Sequence, residues 1–218
     1  MANKGLLQEE KSGLKGSHLW GVLLFLGLLF IDQITKIVAD VYFVEIAGAN
    51  ETIKIIPGML ELCISYNRGI AFGSLASSSE AIKIAIVIGT AVMMLALSFV
   101  YWKIDKRRTL LRIALVLIVA GGIGNFIDRV YYQVWDPSTA GLVRDGVRDM
   151  VYLNILIDFG VCNFADFFIS IGAVVLLLSL LFFDMDALFP LGKKYRALAK
   201  ESEEKSRAKK EKKEKKNG

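Results

Sequence analysis

Four stretches of this chain, at roughly 19–42, 81–102, 110–131 and 164–184, are long and apolar enough to cross a bilayer as helices. A span needs about 20 residues at about 1.5 Å rise each, and lipid offers no partner to an unpaired backbone N–H or C=O. The chain of 218 residues is 54% hydrophobic, far from the usual balance of a water-soluble domain. The first apolar run lacks a small-residue exit site and continues into Asp32 and Lys36, so it reads as a retained span and not a cleaved leader.

Only the second stretch is clear of interior charge, with Lys83 near its start. The other three reach full length only with polar residues counted inside them: Asp32 and Lys36 in the first, Asn125, Asp128 and Arg129 in the third, Asn163 and Asp166 in the fourth. A charge at mid-membrane costs about 2.5–3.5 kcal/mol even on the most lenient scale, so such residues face protein or water.

Lys and Arg collect before the first stretch (Lys4, Lys11, Lys15), between the second and third (Lys103, Lys106, Arg107, Arg108, Arg112) and after the fourth. The positive-inside rule puts these zones on the cytoplasmic side. The expectation is an all-α membrane protein, a single integral membrane domain over 1–218. It has four transmembrane helices with both termini cytoplasmic, plus a small extracytoplasmic β-rich region. The first and third spans travel outward and carry their polar residues late, whereas the fourth travels inward and carries them early. All three sets therefore fall near the extracytoplasmic surface.

Spacing turns these sets into faces. Asp32 and Lys36 are i,i+4 neighbours suited to pairing, and Asn125, Asp128 and Arg129 share one face, as do Asn163 and Asp166. Asp128 and Arg129 are adjacent and do not face each other, which leaves Lys36 as a partner for Asp128. Gly121, Gly122 and Gly124 suit close helix approach in lipid.

In the outer loop 43–80, Leu60, Leu62, Ile64 and Tyr66 alternate with Glu61, Cys63 and Ser65, a strand period. Thr52–Ile56 is a second β-prone run, and Pro57-Gly58 between them signals a turn. The outer loop 132–163 reads as a long polar connection. Cys63 and Cys162 read as two isolated thiols, with a bridge between them as the alternative. The basic tail at 192–218 reads as a solvated cytoplasmic segment beside anionic headgroups, with no nucleic acid as partner.

The single histidine, His18, stands in the cytoplasmic approach, and no metal-ligand or nucleophile motif is present. Carboxylates near an outer surface remain. Two of them held close cannot both ionise, so one keeps its proton while the other draws a proton from water. The same residues would equally serve a proton or ion pathway, or a structural ion pair; four spans without a visible repeat are few for a transporter.

Four segments together resemble the lipoprotein signal peptidase family, also called signal peptidase II: DQITK (Asp32–Lys36), NRGIAFG (Asn67–Gly73), GGIGNFIDR (Gly121–Arg129) and NFAD (Asn163–Asp166). The resemblance covers about residues 18–184. It implies a bacterial inner-membrane aspartic endopeptidase with its active site near the extracytoplasmic face. Such an enzyme acts, without a cofactor, on prolipoproteins whose cysteine already carries a diacylglyceryl group, and cuts on the N-terminal side of that cysteine. Its catalytic aspartates map onto Asp166 in NFAD and Asp149 in GVRDM (Gly146–Met150). Asp158, in LIDFG, lacks the preceding glycine segment. Asn67, Gly69, Asn125 and Arg129 are then expected to orient substrate or the two aspartates, Asp32 with Lys36 to brace the first span, Asn163 to position Asp166, and Asp128 to serve structurally. Membrane lipids are expected neighbours, and nothing demands more than a monomer.

Overall fold

The computed structural model describes residues 18–48, 50–69, 75, 77–106, 108–155, 158–183, 201 and 204. The expectations for the N-terminal lysines, for the NRGIAFG segment beyond Gly69 and for the basic tail other than 201 and 204 fall outside these residues.

Among the described residues, four helices are long and apolar enough to cross a membrane. Helix α1 (Leu19–Asp40) passes into a π-helical extension (Val41–Ala47), about one turn beyond the expected end near 42. Helices α2 (Glu80–Lys103) and α3 (Thr109–Tyr131) follow. Helix α4 (Phe164–Leu178) begins in the compact unit that ends at Val175. From Leu176 the chain belongs to a second unit, in which the helix becomes a π-helical turn (Ser179–Phe183).

Helix α3 is the central one. Large exposed side chains on the others are apolar, such as Phe30 on α1, Leu95 and Val92 on α2 and Val174 on α4, which suits lipid and would be costly in water. On α3, by contrast, Ala114, Leu115, Val119, Ala120 and their neighbours are buried. Its glycines permit this. A Cβ at Gly121 would strike the Ala165 carbonyl and Ile169 of α4, one at Gly122 would strike Met94 of α2, and one at Gly124 the Asp32 carboxylate of α1. Each glycine costs about 1 kcal/mol of helix propensity against alanine, which the three close approaches offset.

At the end where α1 and α3 finish and α4 begins lies a four-stranded antiparallel sheet in the order β1-β2-β3-β4. Strand β1 (Ile53–Ile56) and strand β2 (Leu60–Asn67) form the hairpin that the sequence indicates. The second outer loop departs from expectation. Strands β3 (Val147–Asn154) and β4 (Asp158–Cys162) lie within it and complete the same sheet, so 132–163 is not simply a polar connection. Strand β3 hides from hydropathy because Arg148 and Asp149 are both buried polar groups, Arg148 paired with Asp128 of α3 and Asp149 bonded by Asn163 just before α4 and by Asn67 at the end of β2.

Strand β2 is half-buried along its whole length and does not alternate. The register explains this. Leu62 faces Val151 but Ser65 faces Asp149, three steps on β2 against two on β3. That irregularity turns the β2 side chains and lies directly beside Asp149; bulges next to functional sites re-aim side chains in this way. Gly146 brings the start of β3 against the end of β2: a Cβ there would lie 2.6 Å from the Asn67 carbonyl.

Candidate active site

The polar residues that the sequence places in the spans, Asp32, Lys36, Asn125, Asp128, Arg129, Asn163 and Asp166, come to one end of the bundle, together with Asn67, Gly69 and Asp149. Asp149 enters from β3 and Asp166 from the first turn of α4, and Asn163 touches both. Its side-chain nitrogen donates to Asp149 Oδ1 at 2.5 Å and to Asn125 Oδ1 at 3.1 Å, while its backbone N–H donates to Asp166 Oδ2 at 3.1 Å. Asn125 Nδ2 donates to Asp166 Oδ1 at 2.8 Å, and Lys36 Nζ donates to Asn125 Oδ1 at 2.9 Å. The Asn67 side chain also hydrogen-bonds Asp149. Three asparagine side chains and a lysine thus hold the two carboxylates in one cluster, with Asn163 fully buried.

Burial pushes the Asp149 carboxyl up to about 7, and the nearby Asp166 charge adds to this; the Asn163 hydrogen bond, Lys36 and the Asn67 hydrogen bond pull the other way. A carboxyl so placed keeps its proton well above the pH at which an ordinary carboxylate has lost it, the state required of the acid in a two-carboxylate pair.

Behind the pair lies a fully buried ion network. Lys36 Nζ is 3.0 Å from Asp32 Oδ2 and 3.5 Å from Asp128 Oδ2. The expected Asp32–Lys36 pairing is present, and so is the Lys36–Asp128 contact. The closer partner of Asp128, however, is Arg148, at 2.6 Å. Asp32 Oδ1 also accepts the Ala165 N–H at 2.9 Å, so α1 is fastened to the start of α4. Breaking a buried pair from one side costs on the order of 3–5 kcal/mol, which makes this frame stiff.

On the other flank, Asn67 Oδ1 accepts the Gly69 N–H at 2.8 Å, closing a tight turn, and Arg129 donates from a terminal guanidinium nitrogen to the Gly69 carbonyl at 3.1 Å. The Arg129 Nε is buried and has no hydrogen-bond partner among the described residues. Buried donors of this kind are rare without a function or a missing partner.

The sequence reading missed three arginines. Arg148 grips Asp128. Arg68 donates to the carbonyls of Val134, Asp136 and Asp145 and to the Thr139 hydroxyl, tying the 134–145 segment to the Asn67–Gly69 turn. Arg144 bridges Asp40 at 2.7 Å and Glu45 at 2.8 Å, and the Tyr66 hydroxyl donates to the same Asp40. Their partners lie far away in sequence, so no local spacing reveals them. Asp158 is exposed; its carboxylate accepts the Gly160 N–H at 2.8 Å within its own turn. Cys63 and Cys162 are both free and half-buried. Burial, then the charges of Asp166 and Asp149, pushes the Cys162 thiol up to about 12.

A bundle of membrane-length helices with a buried and a half-buried carboxylate, both held by Asn163 at one end, is the layout of a multi-pass membrane protein with a polar site at that end. Residues 24–182 match the family model for signal peptidase (SPase) II. Among curated relatives, the lipoprotein signal peptidase of Fusobacterium nucleatum is 32% identical over 170 residues, 78% of this chain and 90% of that protein. That of Streptococcus thermophilus is 36% identical over 157 residues, 71% of this chain and 88% of the relative. A solved structure described as a bacterial membrane enzyme, obtained by the in meso method, superposes with a TM-score of 0.58 at 26% identity, covering 79% of this chain and 92% of the other. The chain belongs to the signal peptidase II family of membrane aspartic proteases, which act on lipoprotein precursors.

Proposed function

We propose that this protein removes signal peptides from prolipoproteins whose cysteine carries a diacylglyceryl group, cutting on the N-terminal side of that cysteine, with Asp149 and Asp166 as the catalytic pair. The observation that carries the proposal is that one residue, Asn163, meets both carboxylates: its side-chain amide donates to Asp149 and its backbone N–H to Asp166.

In the resting state one proton is shared by the pair and resides on Asp149, whose carboxyl is pushed up to about 7. The ionised Asp166, steadied by Asn125 and by the Asn163 N–H, takes a proton from a water molecule. The resulting hydroxide adds to the scissile carbonyl carbon as Asp149 gives its proton to the carbonyl oxygen, which yields a neutral tetrahedral diol. Asp166 then passes its proton to the departing amine, and Asp149 takes one back from the diol as the C–N bond breaks. Protons balance over the cycle, and no cofactor is consumed. General acid–base steps of this type contribute about 10²–10⁴-fold each.

Arg129, with its unpartnered Nε and its bond to the Gly69 carbonyl, and the Asn67–Gly69 turn serve to align the extended substrate backbone. Asp32 and Lys36 brace the frame, and Asp128 serves it structurally. The working orientation places both termini in the cytoplasm and this end of the bundle at the extracytoplasmic face, where the lipid-modified cysteine of the substrate lies. One chain supplies all the named residues, so the enzyme acts as a monomer among membrane lipids. The test is direct: purified full-length protein is incubated with a diacylglyceryl-modified prolipoprotein and with its unmodified precursor. Cleavage of the first alone, with the new N-terminus at the modified cysteine, supports the proposal; cleavage of neither contradicts it.

A further inference from the structure

Arg148 stands one residue before Asp149, and successive side chains of a strand point to opposite faces, so it lies behind the carboxylate that its neighbour presents. All three of its hydrogen bonds to Asp128 are short enough to act as a clamp. The terminal nitrogen donates to Oδ1 at 2.6 Å, Nε to Oδ2 at 3.3 Å and the backbone N–H to Oδ2 at 3.0 Å. Gln33 Oε1 accepts a further bond at 3.3 Å, and the guanidinium stacks over Tyr132 at 5.6 Å.

Followed outward, the clamp has a second end. Asp128 contacts Lys36, Lys36 contacts Asp32, and Asp32 accepts the N–H of Ala165, the residue before Asp166. Four alternating charges therefore join the backbone neighbour of one carboxylate to the backbone neighbour of the other, across α1, α3, β3 and α4. We infer that Arg148 is a positioning residue: through Asp128, Lys36 and Asp32 it sets the separation and orientation of the Asp149 and Asp166 carboxylates. This rests on the reading of those two aspartates as the catalytic pair. The arrangement gains its stiffness from burial, since Asp32, Lys36 and Asp128 are all fully enclosed and each fills the charge requirement of the next.

A plain structural ion pair and a positioning clamp differ in what a double substitution restores. The full-length enzyme is compared with Arg148→Met, Arg148→Lys and the double variant Arg148→Met/Asp128→Asn, with thermal midpoint, kcat and KM measured on the lipid-modified prolipoprotein. A displacement of about 1 Å at a reacting group costs about 10²-fold, so Arg148→Met lowers kcat by about that factor with KM within about threefold. Arg148→Lys, which keeps the charge but loses the two-point grip, falls between. The double variant no longer buries a carboxylate stripped of its closest cation, so its thermal midpoint recovers toward wild type while its kcat stays low. A double variant that recovers kcat together with stability, or an Arg148→Met enzyme within about twofold of the wild-type kcat, overturns the inference. If Arg148→Met does not fold, the Lys and double variants decide it by the same criterion. A wild-type protein that cleaves nothing fails the functional reading instead, so the two failures are told apart.

Discussion

Asn163 and Asp166 cap each other at the start of α4: the Asn163 side-chain oxygen accepts the Asp166 N–H at 3.1 Å, and an Asp166 carboxylate oxygen accepts the Asn163 N–H at 3.1 Å. This is the reciprocal geometry of a capping box, built here from Asn and Asp. It locks the Asp166 carboxylate to the backbone of its own helix, and the remaining Asn163 amide is left to hold Asp149. One residue thus begins the helix and bridges the two carboxylates.

The cap and the bridge are separable. Asn163→Ser keeps a side-chain acceptor for the cap but removes the amide donor to Asp149. Its thermal midpoint should stay close to wild type while turnover of prolipoprotein falls about 10²-fold. Asn163→Ala should lose the turnover and, in addition, about 1 kcal/mol of stability from the cap. Melting curves and initial rates on the two variants check this; equal turnover in Asn163→Ser and wild type would remove the bridge from the mechanism.

The raised Asp149 carboxyl fixes the sign of a pH effect. Its folded value, about 7, lies above the ordinary carboxylate value, so the folded state holds a proton that the unfolded chain releases. The stabilisation is complete below the ordinary value near 3.8 and is lost as pH rises through about 7. Asp149→Asn, which cannot ionise, should therefore gain thermal stability relative to wild type as pH rises from about 4 to about 7, with the full gain present at pH 8. The wild-type rate should fall on the alkaline side as Asp149 loses its proton. Thermal midpoints of both proteins across pH 4–9 read the first effect, and a pH–rate profile reads the second.

Asp158 separates the two possible assignments of the first aspartate. It is exposed and closes its own turn through the Gly160 N–H. Asp158→Ala should leave prolipoprotein cleavage within about twofold of wild type, because loss of an exposed turn contact is worth about 0.5 kcal/mol or less. Abolished cleavage in this variant, with Asp149→Ala still active, would reassign the pair.

The helices were legible because each residue pattern has one physical solution in lipid, and the charges near their ends were legible because each is too costly to be accidental. The β1–β2 hairpin showed itself through its period and its Pro57-Gly58 turn. Strands β3 and β4 did not, since the irregularity opposite Asp149 and the buried Arg148 break both the period and the hydropathy signal. The positions of Asp149 and Asp166 could be read by resemblance, but their bridging by Asn163 could not. That depends on the start of α4 meeting β3, a contact between segments whose pairing only the fold determines. Arg148, Arg68 and Arg144 remained hidden for a related reason: each satisfies a carboxylate or carbonyls contributed by distant parts of the chain.

Arg144 ties the segment before β3 to the end of α1 through Asp40 and Glu45. It is about one-third exposed, so its replacement by alanine should cost no more than about 1 kcal/mol of global stability. The local effect should be larger: limited proteolysis should cut the 132–146 segment faster in Arg144→Ala than in wild type. Equal cutting rates would show that Arg68 and its four acceptors hold the segment unaided.

The central claim is that Asp149 and Asp166 together perform the cleavage. Asp149→Asn and Asp166→Asn are prepared as full-length membrane proteins, each shown to be folded by a cooperative thermal melt, and each is incubated with the diacylglyceryl-modified prolipoprotein in the presence and absence of a metal chelator. The account predicts a mobility shift with wild type under both conditions and none with either variant. Cleavage by either variant at a rate near wild type would contradict it.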